Sequence, residues 1–281
     1  MSTAGETVAA PKQWDAFNYA NKQHLLQVVR DQSEAFFNLL EAPENWDLPI
    51  TSEWNVGDLA GHMVDVIEGY LTAWDAARRG QSPAPDYNLR IMRETLNNHA
   101  QELRKVPREE ILKRLRDDFG KLMDRFDELN ESDWTSLMIT HPYMGPVPAC
   151  CYPAFQLMDY GVHAWDMHEA RGEKRGLAPD VADFLVPFCF VILQGTLDTD
   201  KVTDLPHPVG VKVSGRNGGS WKVSIEGGAV QFEPGAVDDL DTVIEFDPAS
   251  FVLTTFGRVR AGTDYGNREV ADTFRESFFS F

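Results

Sequence analysis

Near Thr203–Pro208 the hydrophobic period of this chain changes, and that change limits the folds it can adopt. Upstream, apolar residues recur at three- and four-residue steps; downstream, they alternate. The first pattern buries one stripe of a helix, the second one face of a strand, so the two parts need different architectures. The reading is an α part followed by an α+β part, divided as 12–203 and 204–281. A length of 281 residues suits one domain of moderate size with a smaller one attached.

In the first part, Phe17, Leu25, Leu26, Val29, Phe36, Phe37 and Leu40 mark an amphipathic helix over Trp14–Leu40, and Pro43–Pro49 forms a turn. Asn55 is placed to cap the next helix, with Asp58 in its first turn, where a carboxylate favours the helix dipole. This helix runs to about Arg78. After the break at Pro83–Pro85 come helices at Leu89–Leu103 and, with Pro107 in the favoured first-turn position, Ile111–Leu129. Thr140–Pro153 reads as a Pro- and Gly-rich loop leading into a helix over Phe155–His168. Pro179–Leu197 is a more apolar helix bent at Pro187. In the second part, Val209–Val213 and Ser220–Ile225 flank a turn at Gly215–Gly219, with further strands at Ala229–Phe232 and Thr242–Phe246. Helical stretches follow at Pro248–Phe256 and Glu269–Phe279.

The chemistry concentrates on the helix of Phe155–His168. Four residues turn a helix through about 400°, so Asp159 and His163 stand one above the other, with Asp166 one turn later. A metal ion needs at least one more ligand, and His62 on the helix capped by Asn55 is the best candidate. His62, Asp159 and His163 would form a two-histidine, one-carboxylate metal site. Asp166 is spaced to accept the other ring N–H of His163. His168 points elsewhere, and His141, in the Pro/Gly-rich stretch, either lines the mouth of the cavity or, as the preferred reading, is exposed.

Other properties exclude function classes. A net charge of −18 argues against nucleic acid or an anionic membrane as a partner, since both are polyanions held by Lys and Arg. No apolar run approaches the roughly 20 residues needed to span a bilayer. Met1–Pro11 lacks the basic start and apolar middle of a secretory signal and reads as a frayed tail. Cys150, Cys151 and Cys189 show no metal-ligand spacing and suit a reducing, cytoplasmic setting, with Cys150–Cys151 read as packing.

Trp54, Asp58 and His62 at four-residue steps on an early helix, Asp159, His163 and Asp166 on a late one, and a strand-rich tail with Phe256-Gly257-Arg258 together resemble the DinB-like metal-dependent superfamily. The chain is most similar to its mycothiol-dependent maleylpyruvate isomerase group, whose tail resembles a sterol-carrier-protein-like domain. The resemblance implies an N-terminal four-helix bundle holding a divalent metal through His62, Asp159 and His163. Zinc comes first, with iron or nickel as alternatives. It also implies mycothiol as a thiol cofactor and Arg258 as a catalytic residue that binds an anionic substrate, with Arg260 close enough in sequence to compete. The helical acid in that group is typically Glu, so Asp159 is one methylene shorter.

The expected function is therefore a metal- and thiol-dependent isomerase or S-transferase acting on a small anionic substrate. No cysteine lies in the predicted metal motif, so the nucleophilic thiol must come from outside the chain. Two alternatives stand beside it. One is a ferrous-iron oxygenase on the two-His-one-Asp site. The other is a non-catalytic carrier whose apolar ligand lies among Phe232, Phe246, Phe251, Phe256, Phe278 and Phe279. A homodimer is compatible with the sequence, which does not fix the oligomeric state.

Overall fold

A computed structural model describes residues 15–280, so Met1–Pro11 and Trp14 lie outside the described residues. A 3-10 turn at Tyr19–Asn21 leads into α1 (Lys22–Glu41). The helix begins later than its periodicity suggests, because Asn18 folds its side chain onto the Ala20 N–H and starts the turn first. α2 (Val56–Arg78) follows, and Asn55 caps it as expected: its side chain accepts from Asp58 N while the Asp58 carboxylate accepts from Asn55 N.

The stretch Leu89–Leu103 divides into a 3-10 turn at Leu89–Ile91 and α3 (Met92–Leu103). Pro107 stands one position outside α4 (Arg108–Asp127), as its cap residue rather than within the first turn. A short α5 (Glu131–Ser136) comes next. The expected loop at Thr140–Pro153 is instead a hairpin of β1 (Met138–His141) and β2 (Gly145–Pro148), running directly into α6 (Cys151–Ala170). Pro tolerates this position because the two strands form a sheet of their own, in which every strand is an edge. α7 (Pro179–Thr196) carries Pro187 inside it.

Four helices make the bundle. α1 lies along α6 and α2 along α4, while contacts between α1 and α4 and between α2 and α6 close the ring. Its core is Leu25, Leu26, Val29, Phe36, Leu59, Met63, Leu115, Leu122, Phe126 and Tyr160, all fully buried or nearly so. α3 packs on the outside of α2. There Gly61 lets the helices approach, since a Cβ at Gly61 would lie 2.9 Å from the Ala100 carbonyl oxygen.

The C-terminal part contains a five-stranded sheet in the order β5-β4-β3-β6-β7. Its strands are β3 (Val209–Val213), β4 (Gly219–Glu226), β5 (Ala229–Pro234), β6 (Thr242–Phe246) and β7 (Thr263–Gly266), with α8 (Pro248–Thr255) and α9 (Arg268–Glu276). Only β3 and β6 pair in parallel. Apolar residues of one sheet face meet α7, where Phe190 packs against Trp221 and Phe232 of the sheet and against Phe251 of α8. α7 is thus shared between the bundle and the sheet, since it also packs on α6 and α1. Among the described residues it alone is long and apolar enough to cross a membrane, and most of it is buried inside this protein.

Candidate metal centre and cavity

α2 and α6 place the candidate ligands on facing walls of one cavity of about 510 Å³. His62 comes from α2; Asp159 and His163 come from consecutive turns of α6. One ligand atom from each lies within 4.8 Å of the other two. The aspartate, though shorter than glutamate, keeps a carboxylate oxygen within that distance of both histidines. Gly161 lies between the two α6 residues, and the packing of α7 requires it. A Cβ there would stand 2.7 Å from Val181 Cγ1.

The surroundings suit a cation. His62 Nδ1 and Asp159 Oδ2 are buried with no hydrogen-bond partner among the described residues. An orphaned lone pair in a dry site is costly, and a metal ion removes that cost. Burial pushes His62 well below its usual range, with the nearby His163 and Arg258 charges acting in the same direction, so the ring is neutral and able to donate a lone pair. Burial pushes the Asp159 carboxyl up to about 8, so it ionises at neutral pH only when a positive partner is beside it.

His163 is prepared from behind. Its Nδ1 lies 3.0 Å from Asp166 Oδ2, so Asp166 accepts the Nδ1 proton and the Nε2 lone pair is left for a ligand. Arg258 in turn holds Asp166 with two bonds, Nε to Oδ1 at 2.9 Å and Nη2 to Oδ2 at 3.0 Å. Burial alone would raise the Asp166 carboxyl, but the bonds from His163 and Arg258 outweigh it and hold the group below its usual range. Arg258 reaches the bundle because α8 stops just before it. Gly257 adopts φ +67°, and the Arg258 N–H closes back on the Leu253 carbonyl.

Arg258 lines the cavity and Arg260 does not; Arg260 instead pairs with Asp272 and Glu276 on the outer surface. The guanidinium of Arg258, which the family resemblance offers to an anionic substrate, is engaged by Asp166 through Nε and Nη2 and by the Phe256 carbonyl through Nη1. His168 lies away from the cavity, bonded to Glu173. His141 corrects the sequence expectation. It is buried and lines the cavity, because β1 carries it against Tyr70, Tyr152 and Phe155 rather than out into a loop.

Several wall residues were not anticipated. The Trp54 ring covers both histidines, with centroids 5.0 Å from His62 and 6.4 Å from His163, and its Nε1 donates to Asn97 Oδ1 at 2.8 Å. Tyr70 and Tyr143 also line the cavity. Tyr70 was legible in principle, since it shares the buried face of α2 with Met63 and Ile67. Of the phenylalanines considered for an apolar ligand, Phe246 and Phe251 pack on each other and Phe278 on Phe274, while Phe256 forms part of the cavity wall. All three cysteines are buried and none lines the cavity; burial pushes the Cys189 thiol up to about 12.

Residues 26–168, more than half of the chain, match the family described as the mycothiol maleylpyruvate isomerase N-terminal domain. Among solved structures, the fold is similar to that of the mycothiol-dependent maleylpyruvate isomerase, with a TM-score of 0.59 and 14% sequence identity, over 86% of this chain and 92% of that one. A histidine-to-alanine mutant of the mycothiol-dependent maleylpyruvate isomerase gives the same TM-score at 13% identity and the same coverage. No curated protein gives a significant sequence match. The matched span includes α2 with His62 and α6 with Asp159 and His163, and the chain belongs to the mycothiol maleylpyruvate isomerase N-terminal domain family.

Proposed function

We propose that this protein is a metal-dependent enzyme of the maleylpyruvate isomerase type, using a low-molecular-weight thiol to isomerise or substitute a small anionic substrate. The observation that carries the reading is the convergence of ligand atoms of His62, Asp159 and His163 within 4.8 Å on the cavity walls, with His62 Nδ1 and Asp159 Oδ2 unpartnered among the described residues. Two imidazoles and a carboxylate favour zinc, with iron and nickel as alternatives. A divalent ion held there would supply a Lewis acid that favours the thiolate form of an incoming thiol.

The chain's own groups do the rest. Asp166 holds the proton on His163 Nδ1 and fixes the ring's direction, and Arg258 fixes Asp166. Trp54 covers the two imidazoles and limits water beside them. Arg258 also brings positive charge to the cavity, in support of an anionic substrate. Since no cysteine lines the cavity, the nucleophilic sulfur comes from a bound cofactor, for which the family name supplies mycothiol. The setting proposed for this chemistry is the cytoplasm.

Elemental analysis of protein purified without chelator is expected to give about one divalent ion per chain, lost in His62→Ala and His163→Ala. In cobalt-substituted protein, added mycothiol should raise a sulfur-to-cobalt charge-transfer band in the near ultraviolet. Absence of stoichiometric metal would overturn the metal reading. An unchanged cobalt spectrum at millimolar thiol would overturn the thiol reading.

A further inference from the structure

His141 is a buried histidine of the cavity to which the mechanism above assigns no task. It is 7% exposed, and its ring packs against Phe155, Tyr70 and Tyr143 at centroid distances of 5.0, 5.8 and 5.9 Å. Its Nδ1 accepts the Tyr143 backbone N–H at 3.3 Å, so the ring proton belongs on Nε2. Burial pushes the ring down to about 4, which keeps it a neutral donor at physiological pH.

Nε2 has no acceptor among the described residues. It is also absent from the fully enclosed atoms that lack a partner, so it opens onto free space, and the space this ring borders is the cavity. The Tyr70 hydroxyl is in the same position: the residue is 5% exposed and lines the cavity, its hydroxyl has no partner among the described residues, and it is not sealed in. The Tyr160 hydroxyl, by contrast, is fully enclosed. Two adjacent neutral donors therefore face one cavity from α2 and β1, and both lack an acceptor among the described residues.

We infer that His141 Nε2–H and the Tyr70 hydroxyl form an oxygen-binding subsite that holds a carboxylate or keto oxygen of a small acid whose other end lies at His62, Asp159 and His163. The inference rests on the proposed function for the location of that other end. Donors that are neutral and fixed before the ligand arrives suit an electron-rich oxygen, because they need no reorganisation and bring no counter-charge to be desolvated. The spacing favours an extended molecule. Tyr70 follows His62 by eight residues, about 12 Å along the helix axis, and Phe155, against which His141 packs, precedes Asp159 by about 6 Å. A ligand touching both places is longer than a four-carbon diacid, so maleate serves here as a probe of the oxygen-binding subsite alone.

The test is calorimetric titration of maleate into the full-length, metal-loaded protein at pH 7. Saturable binding is expected, weakened about three- to tenfold in Tyr70→Phe and in His141→Phe, the loss of one neutral hydrogen bond in each case. His141→Gln, which keeps an N–H donor, should recover part of the affinity. Parent-like affinity in both Phe variants, or no saturable maleate binding by the parent, overturns the inference. Tyr70→Phe removes one oxygen atom and keeps the ring, so it decides the matter even if His141→Phe fails to fold. Metal content measured on the same samples separates the two proposals. Weakened maleate binding with metal retained upholds the subsite. Protein that takes up no metal on loading yet binds maleate with the same dependence on Tyr70 refutes the metal reading and leaves the subsite standing.

Discussion

Replacing Asp166 by Asn keeps the shape of the side chain and removes the charge that joins the C-terminal part to the candidate metal ligand His163. The Asp166 side chain is 6% exposed and accepts from Arg258 Nε, Arg258 Nη2 and His163 Nδ1 at 2.9, 3.0 and 3.0 Å. An amide offers one oxygen and one NH₂, so at least one of these three donors would face another donor. Arg258, whose side chain is 20% exposed, would lose its counter-charge at the same time. Two charge-assisted bonds at about 1.5 kcal/mol each put the loss near 3 kcal/mol, at the lower edge of what breaking a buried pair costs. Urea unfolding of the metal-free protein should show that decrease. Arg258→Met should cost a similar amount, and the double variant should cost less than the two together, with a coupling of about 1–3 kcal/mol. Because His163 is then free to turn or to change tautomer, zinc affinity measured against a chromogenic chelator should fall about 10- to 100-fold. Additive single effects together with unchanged zinc affinity would refute the argument that Arg258 acts on the cluster through Asp166.

His141 gives a pH-dependent prediction. Its unfolded value is near 6.5 and burial pushes the folded value down to about 4, so its contribution to stability is full above about pH 6.5 and is lost as pH falls to about 4. At about 1.4 kcal/mol per pH unit this amounts to about 3 kcal/mol, and the urea midpoint of His141→Gln should decline less steeply than the parent's over that window. Gly161→Ala should lower stability by about 1–3 kcal/mol, because the new methyl meets Val181 at 2.7 Å. In thermal melts Val181→Ala should restore part of that loss, and a neutral Gly161→Ala would show that α6 and α7 can separate freely. Arg260→Ala breaks exposed ion pairs, so it should change stability by less than about 1 kcal/mol and leave zinc affinity unaltered.

The parts of the fold that local chemistry dictates were readable from the sequence. Asn55 and Asp58 announce the start of α2, and the four-residue step from Asp159 to His163 places both on one wall of the cavity. The hairpin of β1 and β2 was not readable, because four-residue strands containing Pro146 and Pro148 look like a loop until the neighbouring helices define their setting. That misreading also explains the expectation that His141 would be exposed. β7 escaped for a related reason: Thr263-Asp-Tyr-Gly266 is a polar edge strand with no buried face to impose alternation. The bonds between Asp166 and Arg258 join residues 92 apart in sequence. Both residues were visible as candidates, but only the packing of α8 against α7 brings one within reach of the other.

The position of α3 has a bearing on how this site can change over evolutionary time. Of its twelve residues only Ala100 is buried, yet Met92, Leu96 and Asn97 form cavity wall. A helix that contributes so little to the interior can accept replacements with small effects on stability, generally within about 0.5 kcal/mol each. The cluster on α2 and α6, by contrast, is set in the bundle core, where each change is felt throughout the packing. Descendants of such a protein could therefore acquire a new cavity lining by drift in α3 alone, while keeping the His62, Asp159 and His163 cluster on the inner helices unchanged.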